Sequence, residues 1–363
     1  MKWKSIWLLI VLIGLVTRIF LVFKLPIWID ERDSISYIQL PITTLLSGTI
    51  NVTHPPGYFL LLEAWSFIFH TTAIIALRVS TLVFFLLNCL LIYKLGARYL
   101  TNKFGMSALL SYSLSGYSVI FDWQIRPYTG LVTLILLSLY LLTFSKSKTA
   151  VVLFSIVNFV GLFFDYGFVW YIGSLLVVLS LSAIIPKFRT LFERENMFLA
   201  SLIGSVVTYA LIWLPHGNLH GGLEGMDWIR FYSGPDFFIP FFLGAAHQRM
   251  LLVGIMFLLF MVGCVVFIRK NHSFKHVLPV LLAGISLVSA FCLNAFVPIL
   301  HVRNLQIVGI GVIFICAILF YWLTEKKNYV LFIVVLWFYT LNFLFIIQTH
   351  FLEPGRLLVK FLY

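Results

Sequence analysis

From Ser5 to Leu25 the chain reads SIWLLIVLIGLVTRIFLVFKL, and from Pro26 to Glu31 it continues PIWIDE. A helix needs roughly 20 apolar residues to cross about 30 Å of hydrocarbon, and the first stretch supplies them. It is too long for a signal-peptide core and no small-residue cleavage site follows it, so it reads as a retained first span. The second stretch puts two adjacent carboxylates, Asp30 and Glu31, just past the exit of that span, beside Pro26 and Trp28. Such a pair needs a reason in a chain of 363 residues of which 61% are hydrophobic and only 10% charged.

Comparable apolar runs recur along the whole chain. A mean hydropathy of +1.04 excludes a soluble globular protein, which could not cover so much apolar surface. Period-2 alternation is absent, which disfavours a β-barrel. The expected fold is an all-α polytopic membrane protein with eleven spans, at 5–25, 74–95, 104–121, 129–145, 149–164, 167–185, 197–214, 247–268, 277–297, 305–323 and 328–348.

Charge sets the orientation of these spans. The net charge of +12 is scattered singly between apolar runs and forms no patch of the kind nucleic acid requires. Basic clusters fall on alternate connections: Lys2 and Lys4; Lys94, Arg98 and Lys103; Lys146 and Lys148; Lys187, Arg189 and Arg194; Arg269, Lys270 and Lys275; Lys326 and Lys327. They hold 15 of the 25 basic residues, which makes their side, and with it the N-terminus, cytoplasmic. The opposite side holds 10 of the 13 acidic residues. The stretch from Gly57 to Phe69 is short for a span and contains Glu63, and if it crossed, every later basic cluster would change sides. It reads as a juxtamembrane helix on the outer face, with Tyr58 and Trp65 as interfacial anchors. Two outer segments, 26–72 and 215–246, are sizeable but too short for a soluble domain. With no repeat of fixed period and about 15 residues after the last span, residues 1–363 read as a single transmembrane domain with no soluble C-terminal domain.

Chemistry-bearing side chains gather on the outer connections. Asp30 and Glu31 read either as solvated loop acids or as groups that take a proton from a hydroxyl at the membrane surface. Arg18, about two turns deeper in the same span, favours the second reading, because a charge within a span marks a partner or a pathway. His54-Pro55-Pro56-Gly57 opens the juxtamembrane helix; prolines there preset φ and aim the residue before them. Asp122 to Tyr128 (DWQIRPY) joins the third and fourth spans, and Arg126 carries the planar fork suited to phosphate, with Tyr128 a hydroxyl donor nearby. Asp165 and Tyr166 end the fifth span, and His301 and Arg303 open the tenth. No Walker loop, dinucleotide glycine motif, His-Glu-x-x-His or cysteine-rich metal pattern is present, which argues against ATP-driven or zinc chemistry.

Together these residues resemble a known family. The acid pair after the first span, the His-Pro-Pro stretch, Arg78 in the next span and Arg126-Pro127-Tyr128 are similar to the protein O-mannosyltransferase and aminoarabinose-transferase-like branch of the GT-C glycosyltransferases, glycosyltransferase family 39. The resemblance is densest over residues 1 to 170. It implies a GT-C-type bundle that transfers a sugar, with inversion, from a polyprenyl-phosphate carrier to a hydroxyl acceptor on the outer face of the cell membrane. By position it implies Asp30 as general base, with Arg126 and Tyr128 near the donor and Arg303 holding phosphate. Glu31 is expected to orient the acceptor or to bind a divalent cation, and His54, Asp165, Tyr166 and His301 to contact substrate. The chain departs from the family at Asp165-Tyr166, where His-Tyr is common, and at Arg303-Asn304, where Arg-Tyr is common. The rival reading is a lipid-linked saccharide flippase or other transporter, which would call for internal repeats and polar groups near the bilayer midplane.

Overall fold

The computed structural model describes residues 3–47, 54–144, 147–185, 194–213, 215, 250–269, 274–294 and 302–348. Among them there are fifteen α-helices and no strand. In chain order these are α1 (Trp3–Lys24), α2 (Ile29–Tyr37), α3 (Ile42–Leu46), α4 (Gly57–Phe69), α5 (Ile74–Tyr99), α6 (Asn102–Ser113), α7 (Gly116–Phe121), α8 (Tyr128–Phe144), α9 (Lys148–Phe164), α10 (Phe168–Ile184), α11 (Glu195–Trp213), α12 (Met250–Arg269), α13 (Phe274–Asn294), α14 (Gln306–Glu325) and α15 (Tyr329–Ile347). A 3-10 turn, Val302–Asn304, precedes α14.

Over the described residues each expected span lies on helix apart from the third, and a helix covers Gly57–Phe69 as expected. Helices α5, α11 and α14 are each long and apolar enough to cross a membrane, α1 and α2 pass the same test only as a pair bent by 80° at the break between them, and shorter apolar helices fill out the bundle. This is a multi-pass membrane protein. Helix α14 is its central post: nearly all of it is buried, packed by α6, α12 and α13. Conversely, α1, α12 and α15 turn rows such as Leu12, Val16, Phe20 and Phe23, or Val330, Ile333 and Trp337, outward, as lipid-facing helices must.

Several polar residues inside the bundle bond across helices. Asn88 donates to the Tyr112 hydroxyl and the Thr129 carbonyl, both at 3.0 Å, and accepts from Thr133 at 2.7 Å. Ser138 joins Asn158 to Tyr171, and Ser174 pairs with Ser286 at 2.6 Å. Such contacts between helices satisfy groups that lipid cannot.

Two expectations are corrected. The third span is not continuous. It breaks after Ser113, and Ser115 restarts the chain as α7 by accepting from the Ser118 backbone N–H at 3.3 Å. Tyr58 is not an interfacial anchor: its ring is fully buried between Phe59 and Phe164. Trp65 does lie half-buried at the side of α4, with its indole donating to the Ala76 carbonyl at 2.9 Å.

The two ends of the bundle differ in the way the charge pattern requires. Lys103 meets Glu325 at 3.0 Å and Arg98 lies over Tyr140, which brings three of the basic connections to one end. Asp30, His54, Arg126, Asp165 and Arg303 meet at the other.

Candidate active site

The site is built around the elbow between α1 and α2. Pro26 cannot continue the hydrogen-bond ladder, so α1 ends and the chain restarts at Ile29 with Asp30 and Glu31 in the first turn, where the helix dipole favours negative charge. Glu31 reaches back to accept from the Trp28 backbone N–H at 2.9 Å. The same carboxylate accepts from Arg78 Nη2 at 2.6 Å, Arg78 Nε at 2.9 Å and the Ile125 backbone N–H at 3.0 Å. The remaining donors of Arg78 go to the carbonyls of Val22, Leu25 and Pro26, the orphan acceptors at the end of α1. Arg78 therefore spends all five of its N–H groups on this corner.

This arrangement answers the expectation for Glu31. Its carboxylate is fully buried and its four acceptor positions are filled, so it presents nothing to an acceptor. A divalent cation does not fit there either, because it would sit against the Arg78 guanidinium. Nor does any group of three His, Cys, Asp or Glu side chains among the described residues converge to hold a metal ion.

Asp30, one residue earlier, faces the other way. Its side chain keeps 23% of its surface exposed, and Oδ2 accepts from Arg303 Nη1 at 2.6 Å. Arg126 comes in from the connection before α8. Its Nη1 reaches the Asp30 carbonyl at 3.3 Å and Ser34 Oγ at 3.4 Å, and its Nη2 donates to His54 Nε2. Its Nε, 4.0 Å from Asp30 Oδ2, is buried and has no hydrogen-bond partner among the described residues. The Tyr128 ring lies 5.8 Å from the guanidinium carbon and braces it from the first turn of α8. Ser34, on the Asp30 side of α2, was not singled out from sequence; its position four residues on from Asp30, on the same helix face, was the available signal.

His54 is held between two elements. Pro56 is the N-cap of α4, and Gly57 follows because a Cβ there would stand 2.5 Å from the Phe163 carbonyl oxygen. Only glycine lets the start of α4 seat this close to the end of α9. That seating brings His54 Nδ1 to 3.0 Å from Asp165 Oδ2. Asp165 Oδ1 accepts from the Gly167 backbone N–H at 2.6 Å, closing the turn into α10. A Cβ on Gly167 would meet both Asp165 Oδ1 and the Asn304 carbonyl, so this glycine lets the Arg303 turn approach. Burial first, then the charge of Arg126, pushes His54 below the usual histidine range, and the Asp165 contact opposes this only in part.

Sequence reasoning thus collected residues that do meet: Asp30, His54, Arg126, Tyr128, Asp165 and Arg303. Tyr166 points elsewhere, its hydroxyl accepting from Trp213 Nε1 at 3.1 Å. His301 and the segment 216–249 lie outside the described residues. Arg18, fully buried, is explained by its partner: Nε donates to Asp122 Oδ2 at 2.7 Å. Tyr58 is an addition. Its hydroxyl is buried without a partner among the described residues, within reach of the charges of Arg126 and Glu31.

No family model matches the sequence, and no curated protein matches it. Solved structures do. ArnT, the aminoarabinose transferase of Cupriavidus metallidurans, determined with undecaprenyl phosphate, superposes with a TM-score of 0.59 at 15% identity, covering 87% of this chain and 60% of that one. The fold is that of the GT-C glycosyltransferases. The Archaeoglobus fulgidus oligosaccharyltransferase AglB, in complex with an inhibitory peptide and a dolichol-phosphate, shares this GT-C bundle with a TM-score of 0.52 at 13% identity, covering 90% of this chain and 51% of that one. In its apo form the Archaeoglobus enzyme gives 0.54 at 14% identity, over 98% of this chain and 56% of the other. The chain therefore spans between half and three-fifths of the length of these solved structures.

Proposed function

We propose that the protein is an integral-membrane glycosyltransferase that moves a sugar, with inversion, from a polyprenyl-phosphate carrier to a hydroxyl acceptor. The observation that carries this reading is the rim itself. A partly exposed carboxylate, Asp30, stands beside two arginines, Arg303 and Arg126, at the end of a bundle with the GT-C fold. In the reaction Asp30 takes the acceptor proton while the acceptor oxygen forms its bond to the anomeric carbon. The bond from that carbon to the phosphate oxygen breaks, and the lipid phosphate leaves with the electron pair. The leaving group departs already charged, so electrostatic stabilisation is the main demand on the site. Arg303 and the unpartnered Nε of Arg126 meet that demand. A phosphate that draws Arg303 towards itself also frees Asp30 to act as base, which couples donor binding to base activation.

The positive-inside rule supports an orientation with the N-terminus in the cytoplasm and this rim on the extracytoplasmic face of the plasma membrane. Nucleotide sugars are made on the other side, which favours a lipid-borne donor whose tail lies between helices. A flippase would need a polar path through the bundle. Interior polar residues such as Asn88, Ser138 and Ser174 instead bond to partners on neighbouring helices. The test is incubation of the purified protein with a panel of polyprenyl-phosphate sugars, following release of free lipid phosphate. Release that depends on a lipid-linked sugar supports the reading; robust transfer from a soluble nucleotide sugar in the absence of lipid refutes it.

A further inference from the structure

The sequence singled out His54 and Asp165 as substrate contacts, but the geometry points to a different task. We propose that Asp165 and His54 are positioning residues that hold the Arg126 guanidinium, and that His54 works as a neutral hydrogen-bond acceptor rather than as a cation facing phosphate. This rests on the reading above, in which Arg126 meets the donor phosphate.

A guanidinium can only donate, so His54 Nε2, which faces Arg126 Nη2, must carry the lone pair. The proton of a neutral imidazole then sits on Nδ1, where Asp165 Oδ2 accepts it at 3.0 Å. Asp165 in turn is anchored by the Gly167 N–H, so the ring has one orientation and one tautomer. This is the logic by which a carboxylate fixes a histidine for a task at its other nitrogen. The task here is to orient Arg126, leaving its Nε uncommitted.

Protonation would undo this. The charged and titratable groups around His54 are Asp165 from the turn after α9, Arg126 from the connection before α8, Arg303 from the 3-10 turn and, beyond Arg126, Asp30 from α2; α4 contributes the apolar Phe59 ring. An imidazolium would lose the lone pair that Arg126 needs and place a third cation between the two arginines. The depressed basicity of His54 agrees with a ring that is neutral near pH 7. Donor recognition should therefore weaken on acidification. A phosphate-binding imidazolium would show the opposite sign.

The experiment measures undecaprenyl phosphate binding to the purified full chain between pH 5 and 8, for wild type, His54→Ala, His54→Gln, His54→Lys, Asp165→Asn and Arg126→Ala. Ratios between variants at each pH cancel the titration of the lipid phosphate itself. His54→Ala should weaken binding about tenfold at pH 8, the scale of one lost hydrogen bond to a charged group. His54→Gln, which restores an acceptor that does not titrate, should recover most of that loss. Divided by the His54→Gln curve, the wild-type curve should fall as pH drops. Asp165→Asn should shift that fall to lower pH, since the imidazolium loses its counter-charge. His54→Lys should bind more weakly than His54→Ala. Tighter binding by His54→Lys, or a wild-type ratio that rises on acidification, would overturn the proposal. An Arg126→Ala variant that binds normally would instead show that the underlying assignment of Arg126 to the donor is wrong.

Discussion

Two regions of this molecule use the same residue types to opposite ends. At the elbow, Arg78 and Glu31 are saturated: five donated hydrogen bonds on one side, four accepted on the other, both side chains essentially out of solvent. Arg18 is used in the same way, giving hydrogen bonds to Asp122, Ser118 and the carbonyls of Gly14 and Ser113 while lying 4.1 Å from the Phe85 ring. A few ångströms away at the rim, Asp30 has one close partner and some exposure, and Arg126 retains an orphan N–H. A buried charge whose hydrogen bonds are all made has nothing left to offer a ligand. One whose bonds are left incomplete is held ready for something that arrives. The contrast separates scaffold from site better than residue type, charge or position along the chain.

The sharpest way to break the comparison is at the adjacent acids. Asp30→Asn should slow transfer by about a hundredfold to ten-thousandfold, the usual worth of a positioned general base, with the thermal midpoint in detergent nearly unchanged. Turnover within tenfold of wild type would take Asp30 out of the chemistry. Arg78→Ala should act through the fold instead. It strands Glu31 as an unpaired buried carboxylate, a loss of about 3–5 kcal/mol that should appear as a large drop in the thermal midpoint and in the yield of folded protein. If Arg78→Ala melts normally and only loses activity, the scaffold assignment for the elbow fails.

Smaller effects refine the boundary. Arg303→Ala should weaken binding of a polyprenyl phosphate about tenfold to a hundredfold, whereas Arg269→Ala at the far end of α12 should leave it alone. Equal effects from the two would mean that the binding is non-specific attraction to a basic protein. The smallest expected effect is at Lys103, which pairs with Glu325 in the open. Lys103→Ala should change neither the thermal midpoint nor the activity by a measurable amount, since exposed pairs are screened and entropically loose.

The helical bundle was legible in the sequence because hydrocarbon imposes a length and a composition on anything that crosses it. The start of α4 at Gly57 was legible because Pro55 and Pro56 leave few alternatives. The clustering of Asp30, His54, Arg126, Asp165 and Arg303 followed from counting which connections share a side. The burial of Glu31 against Arg78 was not legible. Neighbours on a helix point about 100° apart, and a nine-residue α2 with little apolar patterning carries no sign of which way it is rolled. The break between α6 and α7 was hidden for a related reason: Ser113, Leu114 and Ser115 are unremarkable in an apolar run until Arg18 reaches across to the Ser113 carbonyl. The tautomer proposed for His54 rests on a three-dimensional fact, namely that its neighbour at Nε2 is a pure donor.

The elbow also has a mechanical side. Because Arg78 ties the last carbonyls of α1 to the first turn of α2, the 80° corner behaves as a rigid bracket, with the transmembrane helix as one arm and the turn bearing Asp30 as the other. The long arm shows Leu12, Val16, Phe20 and Phe23 to lipid. A bilayer that is thicker or thinner than this arm should tilt it, and a welded corner should pass that tilt to the short arm as a displacement of the carboxylate against arginines mounted on other segments, Arg126 before α8 and Arg303 in the 3-10 turn. Membrane thickness is thereby expected to bear on the alignment of the site.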